Sequence, residues 1–342
     1  MTKKVTTQDI ADSLGVSRNT VSKALNGGGN MSEATRANII QRAIEMKYKN
    51  FTHIEQEVTI KTIALVTNSS PTKSFFSNTL ITSLENQIRD RGYTLSIFIL
   101  HEDELNSLKL PNNFDRNNIE GIVCLELFDV KYSKLISSLG IPTIFIDAYS
   151  DIVNDNLSAD IIMMENYRSI YSLTKKLILN NFTNLGFIGD YKHCRSFNER
   201  WVGFTSALFE SNISLDKNQC ILDDDSCPYN DINWIISRIK SMPKIPQGFI
   251  CANDHIAINV MKALKEMNIS IPDDILLCGF DDSPSSEIVE PKLTTVHIFN
   301  TDIGILAAKT LFDRISDSSI PYQTIYVNSE IKFRDSIGNI NI

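Results

Sequence analysis

The 342-residue sequence contains no uninterrupted apolar run approaching the ~20 residues that cross a bilayer as a helix, so no membrane span is expected. Its opening stretch, MTKKVTTQDI, carries two lysines but lacks the apolar core of a secretory signal, which points to a cytoplasmic address. Cysteine is scarce and dispersed: Cys124, Cys194, Cys220, Cys227, Cys251 and Cys278 include no C-x-x-C pair. A zinc knuckle or dithiol redox site is thereby disfavoured, and the thiols read as reduced packing residues, mostly inside apolar strand-like runs. The five histidines are equally scattered, with no H-E-x-x-H spacing, so neither metal nor cofactor is expected. No phosphate-cradling glycine loop and no nucleophile elbow occur either, and no catalytic residue is assigned. Repeats of solenoid length and low-complexity tracts are also missing.

Positive charge is in deficit overall, with a formal net charge of -8, yet it is distributed unevenly. Residues 1–50 hold eight Lys/Arg against four Asp/Glu, a net of +4, which leaves -12 for the remainder. A basic head on an acidic body suits a protein whose one end meets phosphates while the other supplies solubility. Hydrophobic content of 42% with 22% charged residues is ordinary for a globular chain of two or three folding units.

Thr6-Thr7-Gln8-Asp9 sets a hydroxyl three residues ahead of a carboxylate, a capping-box start, with Ile10 and Leu14 following on one helical face. Gly15 tolerates the left-handed turn that ends this helix, Val16 plugs the turn, and Ser17 caps a second helix carrying Val21 and Leu25. Beyond Gly27-Gly28-Gly29, Ser32 caps a third helix to about Met46, whose Ile39, Ile40, Ala43 and Ile44 are expected to cover the other two. With Val21 and Leu25 turned inward, Arg18, Asn19, Ser22 and Lys23 project from the polar start of the second helix, as a major-groove reader requires. Arg pairs with a guanine edge and Asn with adenine, whereas the short side chains Ser17, Thr20 and Asn26 suit phosphates. A plain solvated helix face is the alternative for any one of these residues.

The stretch VTTQDIADSLGVSRNTVSKALNGGGNMSEATRANIIQRAIEMKY resembles the N-terminal module of the lactose-repressor (LacI/GalR) family. The resemblance implies that Arg18 and Asn19 occupy the principal base-reading positions, that Lys23 stands at a third, where Arg is commoner, and that Thr6, Ser17, Thr20 and Asn26 complete the DNA-binding set. It further implies a homodimer on a near-palindromic double-stranded operator, because a two-fold protein needs two-fold DNA. Where the family carries an Ala-rich hinge helix with a leucine wedge, this chain reads Lys49-Asn50-Phe51-Thr52-His53-Ile54-Glu55-Gln56-Glu57-Val58. Either Phe51 or Ile54 acts as the wedge, or the segment is a flexible linker.

From Lys61 onward short apolar runs alternate with helical patterns: TIALVTN, a helix near 77–91, YTLSIFIL, GIVCLEL, a helix, IPTIFIDA. The rhythm continues through IIMM, a helix near 167–180, NLGFIGD, a helix near 198–211, GFICAND, a helix near 255–267, and DILLCGFDD. Near-continuous apolar strands between helices mean parallel sheets covered on both faces, and two successive sets mean two lobes. The expected class is therefore α/β: a three-helix helix-turn-helix head and a two-lobed periplasmic-binding-protein-like domain with parallel sheets. Residues 1–49 form the head, 50–60 a hinge or linker, and 61–342 an effector-binding and dimerisation domain. Its first lobe spans about 61–160 and 292–320; its second spans about 161–291 and 321–342. The alternating tail at Ile325, Val327, Ile331 and Phe333 is assigned to strands returning to the second lobe.

Ligands of open α/β sheets sit beyond the carboxyl ends of the strands, here in the cleft between lobes. Asp147, Asn253 and Asp281 follow strands, and Arg200 opens the helix that contains Trp201 and Phe204; alone, each of the three strand-end residues reads equally well as a cap or turn residue. The resemblance continues through PTKSFFSNTLITSLENQIRDRGY, RSFNERWVGFTSAL, CANDHIAINVMKAL, LLCGFDD and PKLTTVHIFNTDIGILAAKTL. It implies that Phe75, Phe76, Asp147, Arg200, Asn253 and Asp281 hold a small sugar-like effector, and that Glu165-Asn166, in place of the usual Asp-Asn, is structural. The basic loop Tyr191–Arg195 suggests an effector with an acidic group. The expected function is that of a transcription regulator, a repressor, controlled by that effector. A solute-binding protein of transport shares the clamp but lacks the head and carries an export signal.

Overall fold

A computed structural model describes residues 5–25, 31–48, 61–68, 75–150 and 157–340, without the side chains of residues 75–77. The atypical hinge of residues 50–60 and Asn26 lie outside the described residues. The chain divides into two compact units, Met1–Ile60 and Lys61–Ile342.

The first unit holds α1 (Thr7–Leu14), α2 (Arg18–Leu25) and α3 (Glu33–Glu45). The capping box forms: the Asp9 amide donates to Thr6 Oγ1 and the Thr6 amide to Asp9 Oδ2 at 2.8 Å. Gly15, at φ 65°, closes α1 as the turn demands, and the Ser32 hydroxyl caps α3. Ile10, Ala11, Val21, Ala24, Leu25, Ile39 and Ala43 make the core. So small a core has little to spare, since truncating one buried Ile costs about 2–5 kcal/mol. Ile44, expected inside, is 56% exposed, because it stands one helical step off the Ile39/Ala43 stripe.

In the second unit β1 (Thr62–Thr67), α4 (Phe75–Arg89), β2 (Thr94–Ile99), α5 (Glu102–Ser107), β3 (Ile119–Leu125), α6 (Val130–Ser137), β4 (Thr143–Ile146) and β5 (Asp160–Met164) come first. Next are α7 (Tyr167–Leu179), β6 (Leu185–Ile188), α8 (Arg195–Glu210), α9 (Ile232–Lys240), β7 (Gly248–Cys251), α10 (Asp254–Glu266), β8 (Leu276–Cys278) and α11 (Pro284–Ile288). The chain closes with β9 (Thr295–His297), α12 (Asn300–Ser316), β10 (Thr324–Val327) and β11 (Glu330–Lys332). One all-parallel sheet runs β10-β5-β4-β3-β1-β2 and a second runs β6-β7-β8, each strand nearly all buried except the edges β2 and β10.

The first lobe is larger than its sequence boundaries suggested. β5 and β10, assigned to the second lobe, pair with each other and complete the first sheet, so the chain crosses between lobes after Met164 and not before it. A buried ion pair fixes this: Arg314 of α12 clamps Asp160, the first residue of β5, through Nε at 3.0 Å and Nη2 at 2.9 Å, and a guanidinium held bidentately needs its carboxylate on the same layer. Only β11 of the terminal strands leaves that sheet, pairing antiparallel with β9. In the first lobe Gly304 lets α12 lie against α4, where any Cβ would collide with the Ser83 hydroxyl and the Leu80 carbonyl. Four of the six cysteines (Cys124, Cys194, Cys251, Cys278) are fully enclosed, and burial pushes their thiols up, which makes them poor nucleophiles.

Candidate functional site

On the head, Arg18, Asn19 and Lys23 are exposed on α2, while Val21, Ala24 and Leu25 of the same helix are buried, so one face packs and the other is presented. Ser17 caps α2 by accepting from the Thr20 amide at 3.0 Å, and its hydroxyl lies 2.7 Å from that of Thr20. The Arg18 side chain lies back along α1, its Nε donating to Thr7 Oγ1 at 3.3 Å. Thr6 is turned to its own helix, its hydroxyl donating to Asp9 at 2.6 Å.

In the second unit the strand-end rule brings together four of the six sequence-predicted effector residues. Asp147, Arg200, Asn253 and Asp281 all line one cavity of about 720 Å³. Phe75 and Phe76 open α4, but their side chains lie outside the described residues. Three of the strand ends leave their sheets through left-handed backbone: Glu126 after β3 at φ 52°, Asp147 after β4 at φ 60° and Asp281 beyond β8 at φ 115°. Such conformations cost about 1–3 kcal/mol each for residues other than glycine and are held only where surrounding structure imposes them.

Each of the four has a defined job. Asp147 accepts from the Ala148 amide at 2.7 Å, from the Ser196 amide at 3.2 Å and from the Ser196 hydroxyl at 2.5 Å, so a first-lobe carboxylate caps a second-lobe helix. Asn253 caps α10, accepting from the Ile256 amide at 2.9 Å. Arg200 does not open its helix, as the sequence suggested. α8 starts five residues earlier at Arg195, where Asp147 supplies the cap, so Arg200 lies in the second turn with only 2% exposed. Its Nε donates to Asn166 Oδ1 at 3.0 Å, its Nη1 to the Ala252 carbonyl at 2.6 Å, and its plane lies 3.6 Å from the centroid of Phe280. Asp281 stands 3.7 Å from Arg200 Nη1, beyond a hydrogen bond. Burial lifts its carboxyl well above the usual carboxylate range against the opposing pull of Arg200, with Asp254, Glu126 and Asp147 lifting it further.

The sequence reading missed Asn68, Glu126, Phe128, His193, Phe197 and His255, which also line the cavity. Asn68 and Glu126 directly follow β1 and β3, so the rule that selected Asp147 would have found them. The basic loop Tyr191–Arg195 does not deliver a set of cations to the cavity. His193 Nδ1 is 2.5 Å from Asp225, Arg195 Nε donates to Glu199 at 3.1 Å, and the Lys192 ammonium lies over the Tyr191 ring at 5.8 Å. The His193 ring instead meets Phe128 and Phe197 at centroid distances of 4.9 and 5.1 Å, an aromatic wall shared by the two lobes. Against Glu126, Asp147, Asp254 and Asp281 the described lining offers one guanidinium, Arg200.

Comparison with known proteins reproduces this two-part construction. Residues 6–50 match the family model of bacterial regulatory proteins, lacI family, and residues 174–337 that of the periplasmic binding protein-like domain. The chain is 25% identical, over 98% of its own length and 99% of the relative's, to the HTH-type transcriptional repressor PurR of Mannheimia succiniciproducens. In fold it is similar to the lac repressor dimer bound to operator and the anti-inducer ONPF, with a TM-score of 0.75, 17% identity and coverage of 98% and 100%. It is likewise similar to a complex of the transcriptional regulator CelR with cellobiose, with a TM-score of 0.71, 20% identity and coverage of 97% and 99%. Head and clamp together are thus similar, part by part, to DNA-binding transcription regulators of the lacI family.

Proposed function

We propose that the chain acts as a homodimeric, cytoplasmic repressor whose hold on a near-palindromic operator is set by a small polyhydroxylated molecule bound between the lobes. Residues 1–49 read DNA, with Arg18, Asn19 and Lys23 on base edges and Thr6, Ser17, Thr20 and Asn26 on the backbone; residues 61–342 bind effector and dimerise. The observation that carries the reading is the convergence of Asp147, Arg200, Asn253 and Asp281 on one cavity at the strand ends. Carboxylate, amide and guanidinium groups pair with vicinal hydroxyls, and the Phe128–His193–Phe197 wall suits the apolar face of a ring.

A neutral effector fits this lining better than an acidic one, because a ligand carboxylate would meet four resident carboxyl groups and a single guanidinium already committed to Asn166 and Ala252. The name of the PurR relatives favours a second reading, a purine base held by the same polar groups. Closure of the cleft around ligand would change the angle of the paired first lobes and so the spacing of the two heads. A ~100-fold change in operator affinity needs only about 2.7 kcal/mol of differential binding. Calorimetry of the full chain with neutral sugars, sugar acids and purine bases tests the assignment: a neutral sugar should bind, and exclusive binding of a purine or of a sugar acid would replace it.

A further inference from the structure

Asn166 occupies the N-cap position of α7, immediately after the chain leaves β5 for the second lobe, yet its side chain makes no cap hydrogen bond. An asparagine placed there ordinarily accepts from the first turn of its own helix. Here the neighbouring Glu165 takes that task, accepting from the Arg168 amide at 2.6 Å and the Ser169 amide at 3.0 Å. Asn166 is released for other partners and is fully buried. Its Oδ1 accepts from Arg200 Nε at 3.0 Å, while its Nδ2 donates to the Met164 carbonyl at 2.8 Å and to Glu199 Oε2 at 2.9 Å. Glu199 in turn accepts from the Tyr326 hydroxyl at 2.6 Å, and Tyr326 belongs to β10, the edge strand of the first sheet.

These bonds join three places that a hinge motion must move relative to one another: the cavity, through Arg200; the crossover after β5, through Met164 and Asn166; and the first sheet, through Tyr326. The crossover after β10 is tied in as well. Ser329 donates to the Glu165 carbonyl at 2.6 Å, and Arg168 donates to Asn328 at 2.8 Å. Asn166 is absent from the cavity lining, so it meets ligand only through Arg200. An amide whose oxygen and nitrogen face different partners has one productive orientation, and a shift of the guanidinium toward a ligand is passed to the crossover as a bent or broken bond.

We propose that Asn166 is the positioning residue through which occupancy of the cavity sets the angle between the lobes, so that it governs the coupling between effector and operator without serving the affinity for either. This rests on the proposed function, and its failure is separable from failure of that reading. The test measures operator affinity by fluorescence anisotropy, with and without whichever of D-ribose, D-cellobiose, D-glucose, guanine and hypoxanthine shifts the parent protein most. Three variants accompany the parent: Asn166→Ala, Asn166→Asp, and Asn166→Asp combined with Glu199→Gln. In Asn166→Ala the affinities for free operator and for ligand should stay within about fivefold of the parent, while the ligand-induced change should fall from about tenfold or more to under about twofold.

Asn166→Asp keeps the acceptor for Arg200 but sets two carboxylates against each other, and it should lose coupling too. Adding Glu199→Gln restores a donor between positions 166 and 199 with the hydrogen-bond direction reversed, while the Met164 carbonyl stays without its donor, and should recover part of the coupling. A role confined to stability would lower the thermal midpoint in all three and leave the coupling ratio of the folded protein at the parental value, which would overturn the proposal. Undiminished coupling in Asn166→Ala, or a double variant no better than Asn166→Asp, would overturn it equally while leaving the proposed function in place. A parent protein that binds one of these ligands with no change in operator affinity would remove both.

Discussion

The carboxylate of Asp147, at the end of a first-lobe strand, caps the second-lobe helix α8 by accepting from both the backbone amide and the hydroxyl of Ser196. Beside it the Arg195 amide donates to the Ala148 carbonyl at 2.8 Å and the Ser150 hydroxyl to the Lys192 carbonyl at 2.6 Å, so the loop after β4 is stitched to the start of α8. Both partners in the cap are nearly enclosed, at 6% and 3% exposure, and a charge-assisted bond in such surroundings contributes more than its surface counterpart.

Ser196→Ala should lower the stability of residues 61–342 by about 1–3 kcal/mol, since it removes the shorter of the two capping bonds and leaves a buried carboxylate less satisfied. Chemical denaturation of the parent and variant checks this; an unchanged midpoint would mean that the cap is not held in solution. Asp147→Asn should cost less, because the amide oxygen still accepts from the Ser196 backbone.

Arg200→Ala should abolish the response to effector and spare operator binding. The guanidinium touches cavity, crossover and the Phe280 ring, whereas the side chains proposed to read DNA belong to the other unit. Anisotropy titrations with a labelled operator, with and without ligand, separate the two effects. Loss of both together would show that Arg200 holds the fold and not the ligand.

Arg18→Ala should erase the preference for operator over random duplex by about 1–3 kcal/mol, the worth of one bidentate base contact. Lys23→Ala should do the same at a different base pair. Competition binding at fixed salt is the measurement, because phosphate contacts alone change affinity steeply with ionic strength. Equal preference in the Arg18 variant would take this residue out of the reading set.

The raised carboxyl of Asp281 should give stability a negative slope with pH. A carboxyl whose pKa is higher in the folded than in the unfolded chain keeps its proton longer when folded. The folded state therefore binds more protons between the two values, and stability falls as pH rises through that window. Thermal unfolding from the ordinary carboxylate range upward should show the decline, and Asp281→Asn should flatten it and unfold at higher temperature than the parent at its alkaline end. A variant less stable than the parent there would mean that the charge of Asp281 is compensated in the folded protein.

Much of the fold was legible because its signals are local. Thr6 with Asp9, Gly15 and Ser32 mark helix ends by chemistry that acts within four residues, and each behaves in the structure as its sequence position demands. The strands β1 and β3 to β8 stand out as apolar runs because both faces of the sheet are covered there. What a linear reading misjudged is long-range. Nothing near Asp160 says that Arg314, 154 residues away, ties β5 to the first sheet, and alternation at Ile325 and Val327 marks a strand without naming its neighbour. The early start of α8 escaped notice because its cap comes from Asp147, 49 residues upstream. Charge counted along Tyr191–Arg195 likewise suggested an electropositive loop, until Asp225 and Glu199 proved to lie against it.

The central claim, that filling the cavity between the lobes alters how a pair of heads grips DNA, has one direct test. The full chain selects its own operator from a random duplex library, and the affinity for that duplex is then measured across a titration of whichever compound calorimetry shows to bind residues 61–342. The account predicts a change of about tenfold or more that saturates at the same ligand concentration as the calorimetric binding. A ligand that fills the cavity while operator affinity stays constant throughout the titration would contradict it.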